Sequence, residues 1–161
     1  MFMTGGRFRE MIASGGFLSD RIKEDYEKGL LMPPWFAVYL FQEFILKLSP
    51  DTHGVCEGTG RSEHEARYVE EVCGWLKRPY TVFNLEVGEE DVVKRSLLRK
   101  REDGLDRDES VIRTRLAEYR KTTQPAIEYF RSVGKLIDID GERSIEAIHE
   151  DVMKHVTHQN S

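Results

Sequence analysis

Cysteine is scarce. Cys56 and Cys73 are the two in 161 residues, with no Cys-x-x-Cys and no histidine at zinc-ligand spacing. Two reduced thiols are expected, rather than a disulfide framework. Long apolar runs are also missing. The longest, Pro33 to Leu48, is interrupted by Gln42, Glu43 and Lys47, too short and too polar to span a bilayer. Met1 to Arg9 carries no apolar core of a secretion signal, so a cytoplasmic location without membrane contact is expected. Positive charge is not in excess: 24 Lys and Arg against 29 Asp and Glu leave a net charge of -5. A general nucleic-acid binder needs a basic face, so no nucleic-acid partner is expected. What remains is an ordinary globular composition, 39% hydrophobic with 13 glycines. The length fits a single domain over 1–161.

Helix and strand signals alternate. Phe8 to Ala13 reads as a short helix stopped by Gly15-Gly16, and Ser19 to Lys28 as a polar helix ended by Gly29. Pro33-Pro34 opens a helix to about Leu48, since proline suits a first turn. That helix is apolar nearly all round, so burial on most sides is expected, with the aromatics from Trp35 to Phe44 as core. His53 to Glu57 reads as a short strand. Ser62 to Leu76 reads as a helix opened by the capping box Ser62-x-x-Glu65. Tyr80 to Val87 is a strand signal, Gly88 to Arg101 a helix, and Asp108 to Lys121 another. Thr123-Gln124-Pro125 is expected to cap the next helix, which Gly134 ends. Lys135 to Asp140 alternates as a strand, and Ser144 caps a last helix with Ile145, Ile148, Val152 and Val156 on one face. Three strands separated by helices imply parallel pairing and an α/β layer fold.

The arginines carry the chemistry. Arg95 and Arg99 are four apart and share a helix face, with Arg101 just beyond. Arg115 lies on the next helix, Arg61 after a glycine-rich strand end, and Arg9 just after Thr4-Gly5. Arginine suits forked hydrogen bonding to phosphate oxygens. Singly, each reads as a surface charge paired with the plentiful acids. Their order along the chain is more specific, and with the motifs around them the sequence resembles the adenylate kinase family of nucleoside monophosphate kinases. Thr4-Gly5-Gly6-Arg7-Phe8-Arg9 resembles Thr-Gly-Asp-x-x-Arg, and Gly29-Leu30-Leu31-Met32-Pro33 resembles Gly-x-Leu-Val-Pro. Glu57-Gly58-Thr59-Gly60-Arg61 is similar to Asp-Gly-Phe-Pro-Arg. Arg95 and Arg99 match the arginines that open the lid, Arg101-Glu102-Asp103 its Arg-x-Asp-Asp. Arg115-Leu116, Tyr119 and Thr123-Gln124-Pro125 match Arg-Leu-x-x-Tyr then Thr-x-Pro, and Ile139-Asp140-Gly141 the last strand and turn.

The resemblance implies reversible phosphoryl transfer from ATP to AMP or a related monophosphate, with Mg2+ accompanying ATP and no zinc. It implies a monophosphate site of Thr4, Gly5, Arg9, Met32, Gly58, Arg61 and Glu65. Arg95 and Arg99 would meet ATP, and Arg61, Arg99, Arg101 and Arg115 would be catalytic. Glu57 would reach Mg2+ through water. Residues 4–48 would form a monophosphate flap region and 99–112 a short lid. Such catalysis is mainly positioning and electrostatic stabilisation, with flap closure excluding water. All six guanidinium groups are expected around one shared cleft.

Departures are legible too. No Gly-Lys-Ser/Thr occurs in the chain. The fold expected is therefore a three-layer parallel sheet with flanking helices, without the family's first strand, P-loop and first helix. The strands near Val55 and Phe83 then lose a shared neighbour, so they pair directly, borrow a strand, or leave a seam open to self-association. Transfer by this stretch would be weak or absent, which keeps open a nucleotide-binding relative without activity, or an interaction protein. Glu65 stands where adenine-reading members carry Gln. An ionised Glu fits the adenine N6 amine and not N1; the alternative is that Glu65 serves only the capping box.

Overall fold

A computed structural model describes residues 1–28, 30–99 and 108–158, without the side chains of Arg99, Thr157 and His158. In chain order the elements are β1 (Phe2–Met3), α1 (Thr4–Ser14), α2 (Phe17–Tyr26), α3 (Pro34–Ile45), β2 (Cys56–Glu57), α4 (Glu63–Trp75), β3 (Val82–Glu86) and α5 (Glu89–Arg99). Then come α6 (Glu109–Glu118), a π-helical segment (Tyr119–Thr123), α7 (Gln124–Ser132), β4 (Leu136–Asp140) and α8 (Ile145–His158). Gly29, Arg101 and most of the expected lid, including Gly104, lie outside the described residues.

Among the described residues all strand pairing is parallel, in two separate pairs rather than the single sheet expected. Phe2 stands opposite Cys56 and Met3 opposite Glu57, while Val82 to Glu86 run in register with Leu136 to Asp140. The described residues show no pairing between β2 and β3, so these two strands do not pair directly. β1 is a fourth strand, which two residues are too few to signal by alternation.

Helix α3 packs one face inward. Phe36, Ala37, Leu40, Phe41 and Ile45 are buried at helical spacing, beside Phe8 of α1 and Ala66 and Val69 of α4. Burial on most sides is not observed: Trp35 and Tyr39 are 65% and 54% exposed, because neighbouring elements cover one face only. Trp35 instead lies on Phe36, with ring centroids 5.1 Å apart. On α8 the expected apolar face is likewise incomplete, since Ile145 at the first turn is 81% exposed.

The start of α4 follows its sequence signature. The Ser62 hydroxyl accepts from the Glu65 N–H at 3.3 Å, and the Glu65 carboxylate accepts from the Arg61 N–H at 2.9 Å and the Ser62 hydroxyl at 3.2 Å. Ser62→Ala is expected to cost about 1 kcal/mol in urea denaturation, the usual value of an N-cap. An unchanged midpoint would show that the cap is not stabilising.

The same region holds Cys56. Its surroundings desolvate the thiol and, with Cys73 near by, push its pKa up to about 11, although much of the residue's surface is exposed. Against an ordinary value of 9.0 the thiolate fraction falls about 100-fold, and the greater basicity returns about tenfold. Iodoacetamide labelling of Cys56 at pH 8 is therefore expected to run about tenfold slower than that of a free thiol. Labelling at the ordinary rate would contradict this.

Candidate active site

A cleft of about 260 Å³ opens where α1, α3, the end of β2, the start of α4 and the α6–π junction meet. It begins with the α1 N-terminus. Thr4, Gly5 and Gly6 line it, and no side chain caps this helix start. The positive end of the helix dipole favours an anion there. Thr4 is buried, with its hydroxyl 3.4 Å from that of Thr59. One turn on, Arg9 reaches into the cleft and donates to the Tyr26 hydroxyl at 3.2 Å.

The turn after β2 brings Arg61. Gly58 adopts φ +77°, and a Cβ there would stand 3.5 Å from Arg61 Nε and 3.6 Å from Thr4 Cβ. Those are ordinary contacts, so it is the left-handed conformation that favours glycine here. The Arg61 guanidinium is surrounded by protein yet reachable by solvent, as a cleft wall requires. Desolvation is the main pull lowering its pKa, Arg115 the next, and Glu57, Glu65 and Tyr119 partly offset them. Two guanidiniums held so near one another form a cationic spot suited to a multiply charged anion.

The far wall comes from α6 and the π-helical segment, through Arg115, Glu118, Tyr119 and Thr123. The widened turn has a local cause. The Gln124 N–H reaches back to the Tyr119 carbonyl, and the Thr122 hydroxyl occupies the Glu118 carbonyl at 2.6 Å. Pro125 lacks the N–H that would continue the α ladder. Thr123 consequently sits inside continuous helix with no capping bond, not at a helix start as expected. Burial, then Glu86 and Asp138, raise the Tyr119 pKa, while Arg61 lowers it. Met32, Phe8 and Ala37 give the cleft an apolar wall, and Glu57 and Glu65 complete it.

No protein-family model matches the chain. It is 32% identical over 152 residues to adenylate kinase 1 of Synechocystis sp., covering 94% of this chain and 80% of that protein. It is 37% identical over 150 residues to an adenylate kinase of Synechococcus sp. (strain JA-2-3B'a(2-13)), covering 91% and 77%. An adenylate kinase of Archaeoglobus fulgidus is 28% identical over 178 residues, covering 92% and 82%. The chain belongs to the adenylate kinase family.

In this adenylate kinase relative, nine of the residues singled out in the sequence share one cleft: Thr4, Gly5, Arg9, Met32, Glu57, Gly58, Arg61, Glu65 and Arg115. The gathering of six guanidiniums is not observed. Arg95 stands apart from the lining and donates to the carbonyls of Gly141 at 2.8 Å and Glu142 at 3.3 Å, fastening α5 to the turn after β4. The Arg99 side chain and Arg101 lie outside the described residues. Tyr26, Glu118, Tyr119 and Thr123 line the cleft without having been read as site residues. The Arg-Leu-x-x-Tyr and Thr-x-Pro matches were the available signals for the last two. Among the described residues no helix is long and apolar enough to cross a membrane.

Proposed function

We propose that this cleft holds the acceptor in reversible phosphoryl transfer from ATP to AMP or a related nucleoside monophosphate. One observation carries the reading: Arg9, Arg61 and Arg115, from three separate segments, line one cleft with an uncapped helix N-terminus. Those groups would hold the monophosphate, with Thr4, Gly5 and Gly58 shaping the backbone around it. Met32 would face the sugar or base. An acceptor phosphate oxygen attacks the γ-phosphorus of ATP as the bond to the β,γ-bridging oxygen breaks, so ADP leaves and a diphosphate forms. Arg61 and Arg115 would steady the charge on the transferring group.

ATP would arrive with its Mg2+ as one substrate. Glu57, an exposed carboxylate on the cleft lip, fits a hydrated cation. Arg95 and Arg99 on α5, with Arg101 after it, would serve the ATP side. Residues 4–48 would act as the monophosphate flap and 99–112 as the lid.

A coupled assay with ATP, Mg2+ and a panel of monophosphates tests this. Monophosphate-dependent ADP formation is the expected result, and none in the intact protein would contradict transfer. A second reading, acceptor binding without transfer, is favoured for these 161 residues alone by the lack of Gly-Lys-Ser/Thr. The edges of β2 and β3 left unpaired among the described residues would also permit self-association, which light scattering over a concentration series checks.

A further inference from the structure

The two arginines of α1 are held in different ways. Arg7 is engaged by acids: its guanidinium pairs with Glu10 at 2.7 Å and with Glu43 at 3.4 Å. Among the described residues Arg9 forms no ion pair, and its Nη1 donates to the Tyr26 hydroxyl at 3.2 Å. Arg9 and Tyr26 are both half-buried, and both line the cleft. The Arg9 fork folds back along α1, as helical side chains tilt toward the N-terminus. A Cβ on Gly5 would stand 3.5 Å from Nη1, and one on Gly6 3.9 Å from Nη2. The guanidinium therefore lies over the first turn, near the positive end of the helix dipole. That is a poor place for a resting cation and a good one for meeting an anion.

Tyr26 reaches Arg9 from a fixed neighbour. The chain reverses at Gly15-Gly16 between α1 and α2. The buried Ser19 hydroxyl then donates to the Ile12 carbonyl at 2.7 Å, and Ile22 is buried in the core. Tyr26 ends α2, so this pinned hairpin delivers its hydroxyl to the Arg9 fork. A carboxylate in its place would also orient Arg9, but it would cancel the charge and compete with a phosphate for the same N–H groups. The phenol oxygen accepts one N–H and leaves the charge in full. An arginine held before its ligand arrives also loses less rotamer freedom on binding.

We infer that Tyr26 is a positioning residue for the acceptor phosphate: its hydroxyl holds the Arg9 guanidinium over the first turn of α1 without neutralising it. The inference rests on the monophosphate reading of the cleft and adds a residue that acts through Arg9 alone.

The test is titration of the intact protein with AMP, GMP, CMP and UMP, followed by amide NMR shifts so that weak binding is still read. The tightest binder is then titrated into Tyr26→Phe, Arg9→Ala and the double variant. Tyr26→Phe removes the oxygen and keeps the ring. It is expected to weaken monophosphate binding about fivefold and to leave the matching nucleoside unaffected. In the Arg9→Ala background the same change should cost nothing further. Unchanged monophosphate affinity in Tyr26→Phe overturns the inference. An equal loss with and without Arg9, or an equal loss for the nucleoside, also overturns it, because the hydroxyl would then meet the ligand itself. In each of these cases the cleft reading stands. Should Arg9→Ala fail to fold, the nucleoside comparison in Tyr26→Phe decides alone. No binding of any of these nucleotides by the folded, unaltered protein overturns the cleft reading and the inference with it.

Discussion

Arg61→Ala is expected to weaken monophosphate binding by about 2–3 kcal/mol, roughly 30- to 150-fold, the scale of a lost charge-assisted contact. Thermal stability should stay level or rise. Among the described residues the Arg61 guanidinium forms no ion pair, and its largest influence after desolvation is the like charge of Arg115, which Glu57 and Glu65 offset only in part. Its backbone N–H, which bonds Glu65, survives the substitution. Removing the side chain therefore relieves repulsion and leaves the helix cap in place. Loss of binding with retained stability is the signature of a ligand-facing group, not a structural one. Calorimetry and a melting curve on the same sample check both halves. Unchanged affinity would remove Arg61 from the site, and a large fall in melting temperature would make it structural.

Gly60→Ala should have the largest effect on folding. Gly60 is buried at φ +75°, a conformation that costs an L-residue about 1–2 kcal/mol. A Cβ there would stand 3.0 Å from Phe130 Cε2 and Cζ. Phe130 cannot swing aside easily, being buried in the core and set edge-on to Tyr80 with centroids 6.2 Å apart. Overpacking of that kind adds about 1–3 kcal/mol. Together they give about 3 kcal/mol of destabilisation, readable as a shift in urea midpoint. A shift below about 1 kcal/mol would mean that the turn relaxes freely. The similar family motif carries proline here. Proline holds φ near −65°, so this chain's turn takes a path that proline does not.

Local signals travelled furthest from sequence to structure. Ser62 and Glu65 cap α4 as their spacing implies. Val82 to Glu86 and Leu136 to Asp140 lie within the two long strand signals and pair in parallel. Signals that depend on neighbours travelled less well. The outer face of α3 is apolar in sequence and open in space, because periodicity states which faces are apolar but not which are covered. β1 exists only through its pairing with β2. At the site, motif order brought nine residues to one cleft, yet it could not show that Arg95 fastens two elements together. The π turn was hidden because a proline after two threonines reads as a helix start, whereas here the helix runs through it.

Backbone amide mapping by NMR, with a nucleoside monophosphate titrated into the intact protein, tests the acceptor cleft most directly. Saturable shifts are expected at Thr4, Gly5, Gly58, Arg61 and Thr123, which lie far apart in sequence and share the cleft. Shifts confined to α8 or to the outer face of α3, with those amides unmoved, would contradict the site.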